Sequence, residues 1–379
     1  VKLNKSITAD NVAGIMTYGE DNDYPQVIEN LILGSQTGKN AFRTFSKFIA
    51  GDGFENPNIG GVVVGTDNLG KPITLDSVRI EAAKSIAKFN GVYIHTNVNL
   101  LNEVESTRVL NFPYYRLSKE DDSGFCAKVG CSRNWTKDRN KNGFKADDVS
   151  WFNQFNLNRD VIISQMETDN VNIEDFKGQI YTGFVDSSYL YPLSPFDSVY
   201  LDLDTEYQIQ IFKNNEIRQG FTDKVVLHVS TLKSEDEKKL LIEKIRSWMG
   251  ADGDKFLLFE SEFSEDGELL DGGSFKIEVV PKNINDKLFA DWEVSLANSI
   301  RKAVELPAIL IDYEASAMGG ESGAAMETAA TIYNALTKDS RTSLSTILSD
   351  IYKNHKDPIL KQANFDIKPL NLFENATII

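Results

Sequence analysis

The chain has 379 residues, 41% of them hydrophobic and 25% charged, and its 56 Asp and Glu against 40 Lys and Arg leave a net charge of −16. That length exceeds one usual domain, so two or more structural regions are expected around a sizeable core. The acidity excludes a protein that grips nucleic acid over its whole surface, and the longest apolar runs, residues 61–65 and 306–311, are too short to span a bilayer, so a soluble chain with no membrane partner is expected.

The opening residues VKLNKSITAD lack the apolar stretch and small-residue cleavage site of a secretory signal, and export is not expected. Tyr24-Pro25 followed by Val27, Ile28, Leu31 and Ile32 describes a short amphipathic helix with proline in its first turn. A second helix is predicted over residues 39–50, on Ala41, Phe42, Phe45, Phe48 and Ile49, stopped by Gly51-Asp52-Gly53. A third covers residues 76–89.

Residues 91–98 (GVYIHTNV), 108–117 (RVLNFPYYRL) and 179–186 (QIYTGFVD) are rich in β-branched and aromatic side chains and read as strands. Between them, residues 137–148 are charged and turn-rich and read as a solvated loop. Ser194-Pro195 with Asp197 resembles a helix start, and a helix to about Phe212 is predicted with Phe196, Tyr200, Leu203, Tyr207 and Ile211 along one stripe. There follow a strand at residues 225–230, a helix opened by a capping box at Ser234 to Glu237 and ending near Gly250, and strands at 256–260 and 275–280 joined by an acidic turn.

A helix over residues 283–305, roughly 33 Å long at about 1.5 Å per residue, carries Phe289, Trp292, Leu296, Ile300 and Ala303 at helical spacing. Leu306-Pro307 stops it. A loop with Gly319, Gly320 and Gly323 leads into a longer helix over residues 324–352, and the residues from about Asp357 read as extended and peripheral. The fold class expected is α+β.

Candidate chemistry is sparse. GSQTGKN (residues 34–40) suggests a phosphate loop, but only three residues separate Gly34 from Gly38, Asn40 stands where Ser or Thr is needed, and a helix precedes it. A helix-to-helix turn is the expectation, with a nucleotide hydrolase built on Gly34 to Lys39 as the competing reading. His95, His228 and His355 stand alone, and Cys126 and Cys131 form neither a disulfide framework nor a metal set. Two unpaired structural thiols in a reduced setting are expected. The acidic run 260–271 lacks the alternating ligands of a calcium loop. No cofactor, metal or catalytic residue is nominated, and the chain is not expected to be an enzyme.

The order of elements resembles the portal proteins of tailed bacteriophages. Three stretches carry the resemblance: Tyr24-Pro25 with two helices and Gly51-Asp52-Gly53-Phe54; residues 194–221, a helix with an N-G-type turn, here Asn214-Asn215; and residues 285–310, a helix followed by a hydrophobic-Pro step, a loop and a long helix beginning GGESGAAME (residues 319–327). The family's usual Gly-Val before this proline is Glu305-Leu306 here.

The resemblance implies a wing at residues 1–193, a first stem helix at 194–219, a clip at 220–282 and a second stem helix at 283–305. It further implies a tunnel loop at 306–322, a long wing or crown helix at 323–356 and a tail at 357–379. It implies a homo-oligomeric ring, of twelve copies in the family, through which double-stranded DNA passes without sequence specificity. The partners implied are a terminase motor, a head-tail adaptor and the major capsid protein. The place implied is the portal vertex of a virion assembled in the host cytoplasm. The DNA-channel residues implied are Ile311, Asp312, Tyr313, Glu314, Ala315, Ser316, Ala317, Met318, Gly319, Gly320 and Glu321. A clip of some sixty residues between two long helices makes physical sense only when neighbours cover its sides, which argues separately for an oligomer. Another oligomeric neck or baseplate protein of a phage is the alternative.

Overall fold

The structure, a computed structural model, describes residues 5–135, 148–185, 190–218, 224–228, 236, 239, 243, 276–280, 286–311 and 321–372. The chain divides into two units: residues 1–204 with 296–379, and residues 205–295.

The first unit opens with the short hairpin β1 (Ala9–Asp10) and β2 (Ile15–Met16). Helix α1 (Tyr24–Gly34) begins with proline in its first turn and buries Ile28 and Ile32. Ser35, in extended geometry, ends it and caps α2 (Gln36–Ala50), its hydroxyl accepting from the Gly38 amide at 2.8 Å. A β-carbon on Gly38 would lie 2.5 Å from the Leu203 side chain, so this glycine admits a neighbouring helix to close range. The helix-to-helix turn expected at 34–40 is the single residue Ser35, and residues 36–40 already belong to α2.

Strands β3 (Val63–Thr66) and β4 (Pro72–Thr74) form a hairpin that delivers the chain to α3 (Leu75–Phe89), capped by Thr74 and closed by Asn90 in left-handed geometry. Strands β5 (Gly91–Val98) and β6 (Val104–Val109) pair antiparallel. The single strand expected over residues 108–117 is instead two: Phe112–Tyr114 is a 3-10 turn, and β7 (Tyr115–Leu117) follows it. Pro113 supplies the reason, since it has no N–H for a ladder and its ring fixes φ.

With β8 (Lys128–Cys131), β9 (Ser150–Gln154) and β10 (Gln179–Phe184), these strands make a six-stranded sheet of order β6-β5-β10-β9-β8-β7. The two halves of the expected strand thus lie at opposite edges. Only the β10 and β9 pair is parallel, and α4 (Arg159–Asp169) makes that crossover. Most of the charged loop expected at 137–148 lies outside the described residues.

The helix expected to start at Ser194-Pro195 starts later. A 3-10 turn at Asp197–Val199 leads into α5 (Tyr200–Arg218); the Ser194 hydroxyl accepts from the Phe196 amide at 3.2 Å while donating to the Lys88 carbonyl at 2.5 Å. Helix α6 (Asp286–Ala303) lies within the expected second stem helix. The long helix expected over 324–352 is two, α7 (Glu321–Leu336) and α8 (Lys338–Tyr352), broken at Thr337. The Thr337 hydroxyl takes the Tyr333 carbonyl at 2.9 Å, and the Arg341 guanidinium takes the Asn334 carbonyl at 2.8 Å. The Thr337 amide keeps its ladder bond to the Tyr333 carbonyl at 3.0 Å, while at the Asn334 carbonyl a side chain stands in for the ladder.

The residues after Asp357 are not peripheral. Helix α9 (Pro358–Lys361) buries Leu360, and Phe365 and Ile367 enter the core, where Phe365 stacks on Tyr352 at 5.7 Å. Backbone bonds from residues 366–368 to residues 52–55 fix this segment on the turn after α2. A single core links α1, α2, α3, the sheet and α8, and the fold class is α+β as expected.

In the second unit, β11 (Lys224–His228) and β12 (Lys276–Val280) pair antiparallel, in line with the strands expected at 225–230 and 275–280. Asp236, Lys239 and Glu243 are helical and exposed. The strand expected at 256–260, the acidic run 260–271 and most of the helix expected at 234–250 lie outside the described residues.

Candidate functional site

The implied channel residues follow Pro307. Ile311 is half-buried against the core and closes the 3-10 turn Ala308–Leu310, and Glu321 opens α7. Asp312, Tyr313, Glu314, Ala315, Ser316, Ala317, Met318, Gly319 and Gly320 lie outside the described residues. What the structure describes is the base from which this loop departs.

At the end of α6, Glu305 has φ 52°, the left-handed geometry that glycine adopts most readily. The Leu306 amide donates to the Arg301 carbonyl at 3.0 Å, the Glu305 amide to Lys302 at 3.1 Å and the Val304 amide to Arg301 at 3.2 Å, which closes the helix end. Glu305 stands where the resembled family has glycine, and it accepts the backbone angle that glycine would give. Val304 and Leu306 are buried on either side, and Pro307 then turns the chain away.

Helix α7 returns to this base. The fully buried Tyr333 donates its hydroxyl to the Val304 carbonyl at 3.1 Å and packs its ring edge-on against Phe48 at 4.7 Å. Burial first, and then the nearby Glu305 carboxylate, raise the pKa of the Tyr333 hydroxyl, so it serves as a neutral donor. The Arg341 guanidinium donates to the Phe48 carbonyl at 3.0 Å and to the Thr337 hydroxyl at 3.1 Å, and desolvation pulls its pKa down. Sequence reasoning did not single out Tyr333, Asn334, Thr337 or Arg341 as a group. A buried Arg one turn after a Thr, in a helix predicted to be continuous, was the available signal.

Helices α5 and α6 precede the loop. In the first unit, the Ser299 hydroxyl donates to the Asp202 carboxylate at 2.5 Å, and Leu203 and Ile300 are fully buried. In the second unit, Lys213 pairs with Glu293 at 2.5 Å, with both side chains well exposed. The stripe expected on α5 is buried at Leu203 but not at Tyr207, and Ile209 is the buried position beyond it. Apolar side chains stand in solvent on these helices: Leu201 is 55% exposed, Val294 64% and, on α7, Ile332 53%.

No catalytic or metal constellation emerges elsewhere among the described residues. No group of three or more His, Cys, Asp or Glu is placed to hold a metal ion there. Both cysteines are free thiols, and burial, followed by Glu120 and Asp121, pushes Cys126 up to about 11. His95 meets the Lys177 carbonyl at 2.6 Å, and His355 is buried beside Tyr352. A cavity of about 440 Å³ beside β9 is lined by Lys128, Asn153, Asp169 and Phe176, and the Asp169 carboxylate there is already held by Lys128 at 2.5 Å and Asn153 at 2.7 Å. No helix among the described residues is long and apolar enough to cross a membrane.

No protein-family model matches the chain, and no curated protein matches it. Among solved structures it is similar to a chain in the neck of an empty GTA particle computed with C6 symmetry, at 13% identity and a TM-score of 0.46, covering 87% of this chain and 81% of that one. It is similar to a chain in the virion of a native gene transfer agent particle, at 13% identity and a TM-score of 0.42, covering 85% and 80%. It is also similar to an HK97 family phage portal protein from Corynebacterium diphtheriae, at 11% identity and a TM-score of 0.40, covering 87% and 91%.

Proposed function

We propose that this chain is one subunit of a portal-type ring, a conduit for double-stranded DNA at the neck of a phage-like particle. The observation that carries the reading is the pair α5 and α6, which lead to and from a unit whose described strands form one antiparallel pair, with Leu201 and Val294 left exposed on the two helices. Exposed apolar residues on long helices are what neighbouring copies cover in a closed ring. The order of elements, from the Tyr24-Pro25 helix pair to the Pro307 loop and α7, supports the same reading.

In this reading residues 311–321 face the DNA. Asp312, Glu314 and Glu321 are the charged residues of that stretch, and their repulsion of phosphate centres a sliding duplex instead of holding it. The net charge of −16 suits a duplex that must move. Residues 220–282 would dock the packaging motor and the head-tail adaptor, residues 1–193 would meet the capsid, and the energy for packaging would come from the motor. Twelve copies is the number the resemblance implies.

Native mass spectrometry and axial views of the purified protein test the proposal. A closed ring with a central pore is the expected result, with Leu201→Asp and Val294→Asp each weakening assembly. A folded monomer at all concentrations overturns it.

A further inference from the structure

We infer that residues 364–371 form a strap that sets the position of α7, and through α7 the base of the loop after Pro307. The strap is tied along its length to the turn that follows α2. There the Asp52 amide donates to the Lys368 carbonyl at 3.1 Å, the Lys368 amide to Gly53 at 2.9 Å and the Glu55 amide to Asp366 at 2.8 Å. The Asn371 amide donates to the exposed Asp52 carboxylate at 2.5 Å. At its other side the strap meets Asn334. The Leu370 amide donates to the Asn334 side-chain oxygen at 3.2 Å, and the Asn334 amide nitrogen donates back to the Leu370 carbonyl at 2.8 Å.

Asn334 is adjacent in sequence to Tyr333, whose hydroxyl holds the Val304 carbonyl. Two consecutive residues in the last turn of α7 therefore hold the strap and the loop base. The Asn334 carbonyl also accepts from Arg341, which in turn holds the Phe48 carbonyl of α2. Strap and α7 thus meet at Asn334, and Arg341 links that residue to α2.

The break at Thr337 gives this arrangement its weight. A continuous ladder would impose the direction of α8 on α7, and the interruption, which keeps the Thr337 amide on the Tyr333 carbonyl at 3.0 Å but gives the Asn334 carbonyl to Arg341, loosens that constraint. Among the described side chains of α7, Ala330 and Tyr333 alone are buried, so little core packing fixes the helix. A helix with few buried contacts opens locally before the core does, and each added hydrogen bond counts. The strap supplies such bonds from a segment more than thirty residues further along the chain.

The functional sense of this inference rests on the portal reading, in which α7 carries the channel loop; its test does not need a ring. Amide hydrogen exchange is measured on the full chain for Asp52→Ala and Asn334→Ala. Asp52 is exposed and bonds the strap at Lys368 and Asn371, so a merely local packing role for Asn334 predicts no effect of Asp52→Ala on α7. With the strap acting as inferred, both variants exchange about tenfold faster over residues 323–336 and 304–311, while α3 and β5 keep the parental rate. Parental rates in α7 for Asp52→Ala overturn the inference, and so does an equal acceleration everywhere. Native mass on the same samples reports on the ring separately: a monomer that shows the exchange pattern keeps the strap and removes the portal reading.

Discussion

Asn22 presents both its side-chain and its backbone oxygen to the guanidinium of Arg116, at 2.7 and 2.8 Å, across 94 residues of sequence. Arg116 is wholly buried, and its remaining donors reach the carbonyls of Pro113 at 3.0 Å and Tyr115 at 2.8 Å and the Gln26 side chain at 3.1 Å. Its ring neighbours are Tyr18 and Trp135. Desolvation lowers its pKa, and oxygens of amides and backbone, rather than a carboxylate, receive its hydrogen bonds. The forked guanidinium thus joins the turn before α1 to the edge strand β7.

Arg116→Lys and Arg116→Met should each destabilise the first unit by about 3 kcal/mol, since a lysine lacks the fork and a methionine leaves buried acceptors unpaired. Urea unfolding measures this. A loss under about 1 kcal/mol would mean that packing alone holds the turn.

Glu305→Gly should stabilise the protein by about 0.5–1 kcal/mol, because the residue already holds a left-handed angle that costs a side chain about that much. The gain should appear in thermal unfolding without a change in assembly. A loss of stability would show that contacts of the Glu305 side chain outweigh its backbone strain.

Gly51→Ala should be costly in the opposite sense. Gly51 has φ 59°, and a β-carbon there would stand 2.0 Å from the Lys368 carbonyl oxygen. A loss of about 2–4 kcal/mol is expected, with faster exchange in residues 364–371. An unchanged melting temperature would contradict the close approach.

Stability should fall as the pH drops from 7 to 5. Burial lowers the pKa of His95, with the Lys177 carbonyl opposing and Arg108 assisting. Burial also lowers that of His355, with Asp357 and Glu103 opposing and Lys356 assisting. In the unfolded chain both titrate near 6.5, so below that pH the unfolded state binds protons that the folded state refuses. The histidine contribution is fully present above about 6.5 and is lost as the pH falls toward the folded values. The His355 Nδ1 accepts from the Asp357 amide at 3.0 Å, so the neutral ring carries its proton on Nε2 and a second proton would go to Nδ1 and break that bond. Urea midpoints of His95→Gln/His355→Gln should be flatter over this range than the parent's; an identical slope would assign the pH dependence to other groups.

Asp312→Lys with Glu314→Lys should leave ring assembly intact and slow DNA passage most at low salt, where attraction to phosphate is least screened. Packaging and ejection equal to the parent at every ionic strength would take these residues off the channel wall.

Local chemistry in the sequence determined the elements whose signals are complete within a few residues. Tyr24-Pro25 and the apolar spacing of α1, α2 and α3 act over one or two turns, and the structure agrees with them within a few residues. The turn reading of residues 34–40, the strands β5 and β10 and the helix before Pro307 belong to the same class.

Only the tertiary structure decided the rest, because the groups responsible lie far apart in sequence. Pro113 marked a break, but nothing local sends Val104–Val109 and Tyr115–Leu117 to opposite edges of one sheet; the pairing of β8 and β9 does so. Thr337 sits inside a sound helical pattern, and the helix is interrupted there where the Arg341 guanidinium takes the Asn334 carbonyl. The polar, proline-containing run after Asp357 reads as peripheral, yet Phe365 and Ile367 are buried because the turn at Gly51 to Glu55 offers backbone partners more than 300 residues earlier in the chain. Short-range spacing specifies where a helix can form; where it stops, bends or is strapped down depends on hydrogen-bond partners that only folding brings within reach.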